Sequence, residues 1–277
     1  MINNIIKMNN IYSYKLLNWI DEKRLGHFIS LNPNAIQWLE RNPSKIDWMS
    51  LSSNPNAIRV LEKNLSRIDW NALSRNPNAI CILEKNSSKI DWNALSRNPN
   101  AIHMLEKNPS KIDWFGLSRN PSAIHLLEKN PTKINWFGLS YNPNAIHLLK
   151  KNLSRIHWNA LSRNPSAIDI LENNIEKIDW YCLSENPSAL RLLEKNPEKI
   201  NWFMLSNNPS AIHLIEKNPS KIVWYSFSRN PSMFKGEVNY LYLKERMDII
   251  REELTMKSMH PRRLERWIEM GGDIDDF

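Results

Sequence analysis

Only two cysteines, Cys81 and Cys182, occur in 277 residues. That excludes a disulfide-stapled fold and a four-cysteine zinc ribbon, and it points to a reducing compartment. Glycine is scarce, six in all. The sequence has no Gly-rich phosphate loop, no nucleophile elbow and no metal-ligand spacing, so no enzyme activity, cofactor or metal is expected. No run approaches the ~20 apolar residues of a membrane span. The opening MINNIIKMNN lacks the long apolar stretch of a signal peptide. Cytoplasm is the expected compartment, and the N-x-S/T triplets at Asn64, Asn86 and Asn152 are expected to stay unglycosylated.

Tryptophan, by contrast, is plentiful and evenly placed. Trp48, Trp70, Trp92, Trp114, Trp136, Trp158, Trp180, Trp202 and Trp224 recur at a strict interval of 22 residues. A constant period of this size marks stacked units, none of which can bury its own apolar face. The cleanest copy runs from Asn98 to Arg119: NPNAIHMLEKNPSKIDWFGLSR.

The spacing predicts two short helices per unit. The first opens at Asn-Pro, which recurs from Asn32 and Asn54 to Asn208 and Asn230. Asparagine is a favoured N-cap and proline fits the first helical position. In the second unit this helix is expected over Pro55 to Lys63, with Ala57, Ile58, Val60 and Leu61 on its apolar face. Asn64 and its equivalents read as left-handed residues after the helix, and Pro43, Pro109, Pro131, Pro197 and Pro219 block continuation. The second helix is expected to be one or two turns, α or 3-10. It is capped by Asp47, Asp69, Asp91, Asp113, Asn135, Asp179 or Asn201, with His157 and Val223 breaking the rule.

These features define an all-α solenoid superhelix of about nine two-helix repeats over residues 32–231. Helix layers pack ~8–10 Å apart, which predicts a rod or superhelix of roughly 70–90 Å. Residues 1–31 read as an N-terminal helical cap, with a helix from Ile11 to Leu25 and Gly26 where the period would place Trp. Residues 232–277 read as a C-terminal cap: a helix from Asn239 to Met259, another from Arg262 to Met270, and an acidic tail DIDDF after Gly271-Gly272.

Candidate contact residues lie in columns that vary inside this regular frame. One is the first-helix position Gln37, Arg59, Cys81, His103, His125, His147, Asp169, Arg191, His213. Its histidines are too far apart for one metal ion, since units stand ~8–10 Å apart and zinc ligands sit at ~2 Å. The second column follows Trp: Met49, Asn71, Asn93, Phe115, Phe137, Asn159, Tyr181, Phe203, Tyr225. Its aromatics either anchor a partner or pack on the adjoining turn. The partner-binding set is thus His103, His125, His147, Arg191 and His213, with Phe115, Phe137, Tyr181, Phe203 and Tyr225.

The net charge is +8, roughly what one surplus cation per unit gives. One basic stripe runs Lys45, Arg67, Lys89, Lys111, Lys133, Arg155, Lys177, Lys199, Lys221. A second comprises Arg75, Arg97, Arg119, Arg163 and Arg229, interrupted by Tyr141, Glu185 and Asn207. Such stripes suit either a solvated face or a phosphate backbone.

The alternation of short helices in units of just over 20 residues resembles leucine-rich-variant repeats, on the Asn-Pro starts and spaced leucines. The whole unit NPxAIxxLEKNPxKIDWxxLSx resembles Trp/Asn-Pro repeats of giant DNA viruses (mimivirus-like) over Asn32 to Pro231, and the C-terminal stretch resembles tails of such proteins. The resemblance implies an intracellular viral repeat protein, in host cytoplasm or virion, with no catalytic residue. The expected function is a non-enzymatic scaffold for protein–protein interaction. The alternatives are a non-specific RNA- or DNA-binding solenoid and a structural virion component.

Overall fold

A computed structural model describes residues 12–258 together with 260, 262, 265, 266 and 270. Residues 14–235 form one compact unit, and the flanking residues belong to a second. The first unit contains the whole repeat array and is an all-α solenoid.

A full repeat is built of four short pieces; in the units that open at Asn76, Asn98, Asn164 and Asn186 the first is a turn and not a 3-10 helix. Around Asn120 they are a 3-10 turn, Pro121–Ala123, an α-helix, Ile124–Lys129, a second 3-10 turn, Pro131–Lys133, and an α-helix, Trp136–Ser140. Hereafter these α-helices are the Ile helix and the Trp helix. Asn120 caps the first turn, its Oδ1 accepting from Ser122 N–H at 2.9 Å, with Pro121 at the first helical position. Asn135 caps the Trp helix by accepting from Gly138 N–H at 2.8 Å. His157 and Val223 make no side-chain cap bond, as their chemistry predicts.

The expected left-handed residue after the Ile helix is not found. Asn130 has φ −131° and ψ 59°, and its Nδ2 donates to Leu126 O at 2.9 Å. Asn64 adopts the same form and donates to Val60 O, although no proline follows it. The amide thus satisfies an orphan helix carbonyl directly, without needing positive φ.

Leucines at 73, 95, 117, 139 and 161 and alanines at 57, 79, 101, 123 and 145 are fully buried. Full burial of a leucine contributes ~1.5–3 kcal/mol, and this burial occurs between units. The tryptophans pack on that core while keeping part of their surface exposed.

Two polar ladders tie each unit to the one before it. Asn142, fully buried, donates through Nδ2 to Asn120 O at 2.9 Å and Ser118 O at 3.0 Å. Ser118 Oγ donates to Trp114 O at 2.7 Å and accepts from Asn135 N–H at 3.0 Å. The same bonds recur from Asn54 to Asn230.

Both ladders then close. Asn32 Nδ2 donates to Asn230 O at 2.8 Å and Ser228 O at 3.4 Å, and Gly26 N–H donates to Ser228 Oγ at 2.9 Å. Asn34 Nδ2 donates to Pro231 O, as Asn144 does to Pro121 O within the array. The first and last repeats are therefore neighbours, and ten units, against the about nine expected, form a closed ring in place of an open rod or superhelix. Residues 26–31, expected to lie in a cap over an exposed end, instead complete the circle.

The seam differs by one residue. Internal Trp helices have six residues between caps, as in Trp114–Arg119, whereas the seam has a five-residue 3-10 helix, His27–Leu31, between Gly26 and Asn32. A 3-10 helix rises ~2.0 Å per residue against 1.5 Å for an α-helix. Five tighter residues thus span what six α-helical ones span. Gly26 consequently takes the cap position and not that of Trp. Trp19 stacks on Phe227 at 5.7 Å and Arg24 lies over Trp224, closing the apolar core at the joint.

The expected helix from Ile11 to Leu25 is replaced by a strand, β1 (Tyr12–Leu16), and a 3-10 turn at Glu22–Arg24; Ile11 lies outside the described residues. The alternating YSYKL segment suits a strand. It pairs with β2 (Phe234–Val238) in a two-stranded sheet. In the second compact unit an α-helix spans Tyr240–Ser258, close to the expected bounds. Residues 262, 265 and 266 are helical, and the Gly-Gly stop and acidic tail lie outside the described residues.

Candidate functional site: an arginine-lined lumen

The first basic stripe is part of the fold. Lys89 Nζ lies 4.7 Å from the Trp70 ring centre, Lys111 4.4 Å from Trp92 and Lys133 4.8 Å from Trp114. Arg155 covers Trp136, and Lys177, Lys199 and Lys221 cover Trp158, Trp180 and Trp202. Each indole is thus capped by the cation of the next unit, which attracts the ring face electrostatically.

The histidine column is also bridged between units. His103, His125, His147 and His213 each place Nε2 3.0–3.2 Å from Glu84, Glu106, Glu128 and Glu194 of the preceding Ile helix. Both partners are about half exposed, so these contacts add little stability. Arg191 lies in the same exposed column of the Ile helix Leu190–Glu194. Among the described residues no metal-binding group of His, Cys, Asp and Glu is found.

The second basic column behaves differently. It sits at the end of the Trp helices, which make the main helix–helix contacts between units. One cavity of about 510 Å3 is lined by Arg119, Tyr141, Arg163, Glu185, Asn207 and Arg229 of this column, with Tyr181, Phe203 and Met204. Arg119 and Arg229 stand five units apart in a ring of ten. Opposite sides of the ring line one cavity, so that cavity is the central lumen.

The cations of this column crowd one another. Burial lowers the Arg119 pKa, and the charges of Arg97, Arg163 and Arg75 push it the same way, with only Tyr141 opposing. Arg119 lies over the Tyr141 ring at 4.1 Å, Arg97 over Phe115 at 5.1 Å and Arg229 over Phe28 at 3.8 Å. Arg163 Nε is 3.3 Å from Glu185 Oε2, and its Nη1 is 3.4 Å from Tyr141 Oη. Burial opposes the Arg163 charge, but Tyr141 and Glu185 outweigh it and raise its pKa. The buried Nε atoms of Arg97 and Arg229 have no hydrogen-bond partner, and that of Arg163 faces Glu185 without the alignment a hydrogen bond needs.

The aromatic column joins this site. Phe115 stacks on Phe137 at 6.1 Å, and Phe137 meets Tyr141 edge-on at 5.4 Å. Tyr181 and Phe203 line the cavity while remaining 47% and 41% exposed. Tyr225 is exposed on one side and meets Phe28 across the seam at 4.3 Å. The column is thus divided: Phe115 and Phe137 pack together, and Tyr181 and Phe203 face open space. The histidines do not join them, being on the Ile helices.

Cys182 is buried, and that burial pushes its thiol up to about 11, leaving it neutral at physiological pH. Asp91, whose pKa is lowered by the backbone N–H of Ala94, serves as a helix cap. The second arginine column is visible in the sequence, but its convergence is not, because convergence depends on closure. Compared with known protein families, curated proteins and solved structures, the chain shows no match.

Proposed function

We propose that this protein is a non-enzymatic interaction scaffold that docks another protein on the aromatic side of the ring. The observation that carries this reading is the column after Trp. Its position tolerates asparagine at Asn71, Asn93 and Asn159, so folding does not require aromatics there. Yet Tyr181 and Phe203 stand substantially exposed beside the arginine-lined opening. Rigid aromatics next to guanidinium groups suit a partner surface that is apolar with acidic residues at its edge. The rival reading, a nucleic-acid binder following the lysine stripe, draws less support because Arg67 to Lys221 lie on tryptophan faces.

The test is capture of partners from native cells at physiological salt, with and without nuclease. Wild type is compared with Tyr181→Asn/Phe203→Asn, substitutions that other repeats already accommodate. A protein retained by wild type after nuclease and lost by the variant is expected. Equal retention by the variant, or loss of all retained protein on nuclease treatment, would overturn the proposal.

A further inference from the structure

We infer that the lumen is a binding site for a compact, soluble polyphosphate, a small molecule carrying three or more clustered phosphate groups. The inference goes beyond protein docking and does not rest on it.

Three observations carry it. First, the column supplies three arginines to the cavity, Arg119, Arg163 and Arg229, and one carboxylate, Glu185, while Arg75 and Arg97 of the same column lie within electrostatic reach of Arg119. Folding does not need them: Ser53 and Asn207 hold the same position in other units. Like charges gathered in a confined space destabilise the ring that gathers them. A cluster that the fold neither requires nor neutralises is accounted for by an anion from outside.

Second, the internal counter-charge is already used. Glu185 is taken by Arg163. Asp91, which lies within electrostatic reach of Arg75, is held as a cap by Ala94 N–H and by Asn71 Nδ2 at 2.7 Å. Arg97 and Arg119 rest on aromatic rings, which orient a guanidinium while leaving its donors without a carboxylate.

Third, size and geometry fit a small ligand. A cavity of about 510 Å3 falls within the ~300–1,000 Å3 of small-molecule pockets. Guanidinium forks match phosphate oxygens in bidentate pairs. Arginines approaching from several sides of a circle favour phosphates arranged around a small core over a single phosphate or an extended chain.

The test is calorimetric titration of the full chain at about 150 mM salt with myo-inositol hexakisphosphate, inorganic tripolyphosphate, sulfate and a single-stranded oligonucleotide. One-to-one binding is expected for both polyphosphates, at least about tenfold tighter than for sulfate. Arg97→Ser/Arg119→Ser should lose at least about tenfold in affinity. Its melting temperature without ligand should equal or exceed that of wild type, because repulsion is relieved, so weakened binding is separable from misfolding. Any of three results would overturn the inference: no saturable one-to-one binding, unchanged affinity in the variant, or tighter binding of a single-stranded oligonucleotide than of either polyphosphate. Because the aromatic pair is untouched in this variant, the result stands apart from that of the partner capture.

Discussion

At the scale of the residue, one asparagine in each unit is a cap and a cross-link at once. Asn142 accepts from Asn144 N–H at 3.0 Å and donates to two buried carbonyls of the unit before it. Asn142→Ala should therefore cost more than an ordinary N-cap substitution of ~1 kcal/mol. Two carbonyls lose their partner, at ~1–3 kcal/mol for each group left unsatisfied. Chemical denaturation of wild type and variant measures the difference; a loss below ~1 kcal/mol would mean that water replaces the amide. The capping half of this role was legible from Asn-Pro alone. The cross-linking half was not, because one sequence unit does not show which carbonyls its neighbour presents. Lys89 over Trp70 illustrates a signal that was present but unread: a cation stands 19 residues after each indole from Trp48 to Trp202.

At the scale of the element, short helices are held by their ends. A helix of four to six residues cannot persist on propensity alone, so caps and neighbours determine it. Asp113 bonds the N–H of Gly116 at 2.9 Å, but Val223 offers nothing equivalent to the helix Trp224–Phe227. Val223→Asp should supply the missing acceptor and stabilise the protein by ~0.5–2 kcal/mol, seen as a raised denaturation midpoint. An unchanged or lowered midpoint would show that the last Trp helix is fixed by the seam and not by its cap. The Trp-helix starts and the two uncapped exceptions were visible in sequence. The form of the seam was not: a five-residue 3-10 helix in place of six α-helical residues leaves no mark on a period count that begins at Trp48.

At the scale of the whole ring, curvature follows from unequal packing on its two sides. Small residues after the indole column, Ala72, Ala94, Gly116, Gly138 and Ala160, let Trp helices approach closely; a Cβ on Gly138 would come within 2.8 Å of Phe115 O. Ten such wedges need about 36° each to meet. The sequence shows the wedge residues and about nine of the ten units, but its spacing alone leaves an open rod or superhelix, because nothing local encodes the angle. Closure is the claim from which the lumen, its arginines and its ligand all follow. It is tested most directly by a distance between spin labels at Ser44→Cys and Ser220→Cys, exposed positions in one column, with Cys81 and Cys182 replaced by alanine. Across the seam these sites are two units apart, which predicts ~20–30 Å once the outer face is allowed its wider spacing; a distance of ~60–80 Å, the span of eight units in an open array, would contradict the ring.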